Sequence, residues 1–202
     1  MKNLCAWLVV FVVTALAAQY SYQIRKDGKK ISPALSTWII FFLGTGLSFV
    51  TYLIAAKFDF RSGILNTMDF LSVTTILLSI ILWGKRDGKR FQPFEKWYLA
   101  GIGAIVVYGV LSHDAWNSNI FTQVLIAAGY FPTVHKMVTE KRNTESYSMW
   151  SLALMAGAIG LYPATVDGNL LAILYAIRTI VLVSAVLILM THYEFRLRRV
   201  GL

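Results

Sequence analysis

Apolar residues fall along this chain in seven long runs, at about Leu4–Tyr22, Ala34–Ala56, Gly63–Trp83, Trp97–Leu111, Ile120–Val138, Met149–Ala164 and Asn169–His192, separated by short polar and basic stretches. Most approach the roughly 20 residues that a helix needs to cross bilayer hydrocarbon, and the fourth is the shortest. In hydrocarbon a spanning segment has to satisfy its backbone polar groups internally, so each run is predicted as an α-helix. The expected fold class is all-α, a polytopic membrane protein of seven transmembrane helices. No soluble domain, long linker or low-complexity tract lies between the runs.

The runs are not independent of one another. Ala17-Ala18-Gln19-Tyr20 with Ser36-Thr37-Trp38 returns in weakened form as Ala127-Ala128-Gly129-Tyr130 with Ser148-Met149-Trp150, about 110 residues later. In each copy an apolar helix runs into a basic loop, and Ser-x-Trp begins the next helix. Gly44-Thr45-Gly46 matches Ala156-Gly157-Ala158, and small side chains of this kind let helix backbones approach closely in lipid. Residues 1–83 are predicted to form the first three-helix repeat and residues 118–202 the second, with a basic tail. Residues 84–117 carry the linker helix. Three is odd, so a lone reversing helix between the triplets makes them parallel repeats about an axis along the membrane normal.

Charge orients this plan. Of 19 Lys and Arg, only Lys2, Lys57 and Arg61 lie on one side, Arg178 lies within the seventh run, and the remainder are in the odd-numbered loops and the tail. Basic loops stay cytoplasmic, which places the C-terminus in the cytoplasm and the N-terminus outside, in a multi-pass cell-membrane protein. The formal net charge of +9 is thus an orientation signal. Charges spread over short loops make no nucleic-acid reading face, so no nucleic-acid partner is expected. The first run also has features of a cleaved leader, but the basic residues Arg25 to Lys30 follow it directly and it partners the fifth run in the repeat. A retained helix is expected there. A single cysteine, Cys5, rules out an intrachain disulfide and a cysteine-based metal cluster.

The motif residues add a resemblance. Tyr22-Gln23 near the end of the first helix matches Pro132-Thr133 in the fifth, and Lys141-Arg142-Asn143-Thr144-Glu145-Ser146-Tyr147-Ser148 follows the second copy. Together with the three-one-three layout, this resembles the PQ-loop superfamily, which includes SWEET sugar transporters and cystinosin-type amino-acid carriers. That family carries a Pro-Gln pair at this place in each triplet, of which each copy here keeps one half. The resemblance implies a small-solute transporter. In the SWEET branch an asparagine on the third helix of each triplet contacts the sugar, and Asn66 and Asn169 are the nearest matches.

Polar residues within the runs are the candidate site. Asp69 and Arg178 are the charges deep inside a run, at equivalent places in the two triplets, and a charge at membrane depth is costly unless paired or facing water. They are expected to pair with each other or to bind a charged or zwitterionic solute. Asn66 shares a helical face with Asp69 by i, i+3 spacing. Gln19, Gln123 and Tyr175 supply further hydrogen-bonding groups, and Asn169 doubles as a helix cap. Pro132 and Pro163 interrupt helical hydrogen bonding in the second triplet alone and are the expected hinges. Trp38 and Trp150 match in the repeat, and interfacial anchoring is the expectation for both.

Other classes fit less well. A retinal protein needs a lysine in the seventh run, which has none between Asn169 and Met190. His113, His135 and His192 fall at different helix ends, so no metal centre, cofactor or enzyme activity is predicted. The expected function is a small-solute transporter, for a sugar, amino acid or similar polar metabolite, working by alternating access at a midplane site. The alternative is a non-transporting receptor or scaffold of the same architecture. The partners are a small polar solute and the lipid bilayer, and the class also allows a homo-oligomer. Proton-coupled and facilitative transport both stay open.

Overall fold

Seven helices account for nearly all of the computed structural model, which describes residues 1–26, 33–57, 60, 63–84, 93–111 and 114–200. They are α1 (Lys2–Lys26), α2 (Leu35–Ala55), α3 (Ile64–Trp83), α4 (Pro93–Leu111), α5 (Ala115–Glu140), α6 (Tyr147–Val166) and α7 (Leu170–Val200). No strand occurs among the described residues. Each apolar run lies within one helix, apart from a residue or two at its ends, but several helices overshoot their runs. α1 continues to Lys26, α5 to Glu140, and α7 passes His192 to reach Val200. Residues such as Glu194, Arg196 and Leu197 are good helix formers, so the helix does not stop where the apolar surface stops.

Helix ends are set locally. Asp114 accepts hydrogen bonds from the backbone N–H of Trp116 and Asn117 and so caps α5. Lys141, in the left-handed region at φ 53°, ends that helix. Ser146 Oγ caps α6 through Met149 N, whereas the equivalent N-terminus of α2 at Ala34 has no side-chain cap.

Among the described residues five helices, α1, α2, α3, α6 and α7, are long and apolar enough to cross a membrane. Seven such segments were expected; α5 is not among the five, and of α4 the stretch Leu99–Tyr108 is apolar. In α5 the reason is visible in the packing. Its polar residues Asn119, Thr122 and Thr133 are buried against neighbouring helices, while Phe121, Val124 and Phe131 face outward. A helix face packed against protein can carry polar groups that an outward apolar face cannot. The outward faces of the bundle are rich in large apolar side chains, among them Trp7, Phe11, Leu78, Leu82 and Ile188. Water would disfavour such a surface and hydrocarbon accepts it.

The packing order is regular. α3 packs against both α1 and α2, and α7 packs against both α5 and α6. α1 also packs on α6, and α2 on α5. α4 lies on the outside against α2 and α5. Small residues make the closest approaches. A Cβ added to Gly44 would lie 2.6 Å from Ile126 Cγ1, and one at Gly129 2.7 Å from the Phe41 ring, so α2 and α5 touch where these glycines leave room. Hydroxyls inside the helices mostly donate to the carbonyl one turn back, as Thr45 does to Phe41 and Thr179 to Tyr175. That removes their cost in an apolar setting. Arg61, Lys29, Lys30 and the basic run Lys85 to Arg90, which helped set the predicted orientation, lie outside the described residues.

Candidate functional site

A cavity lies at the centre of the bundle, walled by six of the seven helices. α1 contributes Leu16, α2 Trp38, Phe41 and Thr45, and α3 Asp69, Ser72 and Val73. The other wall is Ile126 and Tyr130 from α5, Met149, Trp150 and Ala153 from α6, and Thr179 and Val183 from α7. Its free volume is about 40 Å³, which holds a few waters and is well below the space a sugar or amino acid needs.

Two of the lining residues overturn an expectation. Trp38 and Trp150 are 1% and 2% exposed, so they are core residues on the cavity wall rather than interfacial anchors. Each packs against the matching tyrosine of the repeat, with Tyr20–Trp38 ring centroids 5.5 Å apart and Tyr130–Trp150 5.6 Å apart. Phe41 bridges the pairs, 5.8 Å from Trp38 and 4.8 Å from Tyr130. The result is a continuous aromatic layer across the cavity, toward the end of the bundle that bears the α1–α2 and α5–α6 loops. Its signal in the sequence was the matched Tyr and Trp positions.

Asp69 lines this cavity, but its expected pairing with Arg178 is not formed. No ion pair joins the two within 4 Å. Asp69 Oδ2 instead accepts the Tyr175 hydroxyl at 2.5 Å. The Arg178 guanidinium carbon lies 4.2 Å from the centroid of the Tyr175 ring. Arg178 Nη2 donates to Thr179 Oγ1 at 3.2 Å, and Thr179 is itself on the cavity wall. Thus Tyr175, one of the sequence candidates, touches both charges, though neither it nor Arg178 is on the cavity wall.

The other candidates are elsewhere. Asn66 belongs to a buried polar knot between α2, α3 and α5, where its Nδ2 donates to Ser48 O and Oγ. Asn119 Nδ2 reaches Ser48 O at 3.0 Å and Thr51 Oγ1 at 3.1 Å, and Gln123 Nε2 donates to Asn119 Oδ1 at 3.0 Å. Asn169 Oδ1 accepts from Ala172 N, as a cap of α7, and Nδ2 donates to the Tyr52 hydroxyl. Gln19 is exposed on α1, while its neighbours Ala17 and Tyr20 turn inward. None of these lines the cavity. Thr45 and Ser72 do, and of these two polar wall residues Ser72 is the one the sequence reading did not single out.

Pro132 and Pro163 are both buried inside unbroken helices. Next to Pro132, Thr133 Oγ1 shares a hydrogen bond with Thr37 Oγ1 of α2 at 3.0 Å. The matching Gln23 of α1 donates to Ser148 of α6 at 3.3 Å. The two motif positions therefore make corresponding contacts, each to the helix that packs on its own from the other half of the chain. A third contact sits beside them. Tyr20 donates to Glu145 Oε2 at 2.7 Å, joining α1 to the loop before α6. No family model, curated protein or solved structure matches this chain.

Proposed function

We propose that the protein is a small-solute membrane carrier in which two helical triplets, α1–α3 and α5–α7, rock about a midplane site. The observation that carries this reading is the position of the Asp69 carboxylate. It stands on the wall of a cavity built from both triplets, among apolar and aromatic neighbours. A membrane-embedded carboxylate in a central cavity is a functional group by default, because its desolvation has to be repaid by a partner. The packing order supports the reading as well. The third helix of each triplet sits on the other two, and α1–α6 and α2–α5 form the paired seams expected of parallel repeats. On the charge bias, α1 begins outside and α7 ends in the cytoplasm.

Alternating access requires the closed cavity to open at one end at a time. The contacts Tyr20–Glu145, Gln23–Ser148 and Thr37–Thr133 span the seams at one end. At the other, Lys2 pairs with Asp167, and Asn119 ties α5 to α2. Rocking would exchange one set for the other.

The test is uptake of labelled sugars, amino acids, vitamins and nucleosides into proteoliposomes of phosphatidylethanolamine and phosphatidylglycerol. Asp69→Asn should abolish uptake while leaving folded protein in the membrane, and unchanged uptake by that variant would end the reading. The second reading is a non-transporting receptor or scaffold on the same plan. The small size of the cavity favours it, and it predicts no uptake of any solute by the unaltered protein.

A further inference from the structure

We infer that Asp69, Tyr175 and Arg178 form a two-pole recognition site for a zwitterionic solute, with Tyr175 holding the carboxylate and the guanidinium apart. The inference rests on the carrier reading and names the solute class for that same site.

Two opposite charges this close in an apolar bundle ordinarily collapse into an ion pair, since each removes the other's desolvation cost. Here they do not. Tyr175 contacts both, donating its hydroxyl to Asp69 Oδ2 and presenting its ring face to Arg178. Asp69 is on the cavity wall, and Arg178, which with Tyr175 stands behind that wall, is joined to it through Thr179. Tyr175 and Arg178 are nearly one turn apart on α7, so the helix itself presents ring and guanidinium to the same neighbourhood.

What is left unsatisfied points to the ligand. Arg178 Nε and Nη1 are buried without a hydrogen-bond partner among the described residues. A guanidinium is a donor-only group, so only an acceptor can complete it, and a charged acceptor does so best. On the cavity side, Asp69 remains an acceptor-only group with one oxygen engaged by Tyr175. It suits an ammonium. Trp38, Phe41 and Trp150 supply an apolar and π-rich wall beside it, suited to a hydrophobic side group or to the cation itself. A solute with an ammonium, an anionic group and an apolar body satisfies every part. A solute carrying one charge meets a like charge at the opposite pole, and a neutral polyol leaves both poles without counter-charge.

The experiment is equilibrium binding to the purified full chain in detergent, using four probes of one size class. They are phenylalanine, phenethylamine without the carboxylate, 3-phenylpropionate without the amine, and glucose. Phenylalanine should bind about tenfold or more tightly than either one-charge analogue, with glucose weakest. Arg178→Gln should erase the preference for phenylalanine over phenethylamine, weakening the first and, by removing a like charge, tightening the second. Asp69→Asn should do the mirror operation with 3-phenylpropionate. A one-charge probe bound as tightly as phenylalanine, or glucose bound in preference, overturns the solute class while the carrier reading stands. No binding by these probes or by the wider uptake panel overturns both.

A second measurement tests the spacer without any ligand. In a double-mutant cycle on thermal stability, Asp69→Asn and Arg178→Gln should couple weakly in the parent protein and strongly in the Tyr175→Phe background, where the freed carboxylate reaches the guanidinium. Coupling that does not rise in Tyr175→Phe overturns the role given to Tyr175.

Discussion

Tyr20 and Glu145, 125 residues apart in sequence, share a buried hydrogen bond of 2.7 Å that fastens α1 to the loop leading into α6. Glu145 is 5% exposed and lies outside the spanning segments. Burial pushes its carboxyl up to about 7 from an ordinary 4.5, against the opposing pull of the Tyr20 hydroxyl and the Lys136 ammonium. The folded protein therefore holds this proton more tightly than the unfolded chain does. Between about pH 4.5 and about pH 7 the folded state is protonated here and the unfolded state is not, so stability falls as pH rises through that window and is level above it. The loss is on the order of 3 kcal/mol at most. Thermal unfolding in detergent followed by tryptophan fluorescence should give a higher midpoint at pH 5 than at pH 8. Glu145→Gln should flatten that slope, and a slope unchanged in this variant would show that another group is responsible.

Tyr20→Phe tests the same contact from the other side. It removes the hydroxyl donor and leaves the ring packed on Trp38. An ionised buried carboxylate loses more from this than a neutral one, at roughly 1–3 kcal/mol. The destabilisation should be greater at pH 8 than at pH 5. Equal losses at the two pH values would mean that the hydroxyl does not serve the charged form of Glu145.

The seam between α2 and α5 has little room for added atoms. Gly129→Ala would place its Cβ against the Phe41 ring and 3.0 Å from Ile40 Cγ2, and overpacking of this kind costs roughly 1–3 kcal/mol. Gly101→Ala on α4 meets nothing within 4 Å and should stabilise the helix by up to about 1 kcal/mol. Comparing the two unfolding midpoints checks the prediction, and a neutral Gly129→Ala would show that the seam yields easily.

Asn66 and Asp69 are one turn apart on α3 but face different work. Asn66→Ala breaks the knot around Ser48 and leaves buried acceptors and donors with fewer partners, which should lower stability by roughly 1–3 kcal/mol. Its effect on solute affinity should be small, because Asn66 does not line the cavity. Asp69→Asn should show the converse pattern. The paired measurements are a denaturation midpoint and a dissociation constant for each variant, and a large affinity loss in Asn66→Ala would place the solute outside the cavity described above.

The positions of the helices were legible in the chain because hydrocarbon leaves a backbone little choice. A long apolar run has to close its own hydrogen bonds, so run length and helix length nearly coincide from Leu35–Ala55 to Ile64–Trp83. Asp69, Arg178 and Tyr175 were legible as candidates for a related reason, since polar groups stand out against an apolar background. Which groups meet was not legible. Trp38 and Trp150 have the chemistry of an interface anchor and of a core residue alike, and only the rotation of α2 and α6 about their axes put them on the cavity wall. The polar character of α5, which left it short of a spanning composition, became intelligible once its polar residues packed against neighbouring helices. Asp69 and Arg178 were charges in search of partners until the register of α3 against α7 brought Tyr175 into contact with both. Helix formation follows from local hydrogen bonding along the chain, whereas side-chain partnership follows from the azimuth and depth of helices distant in sequence, which are fixed when the bundle packs.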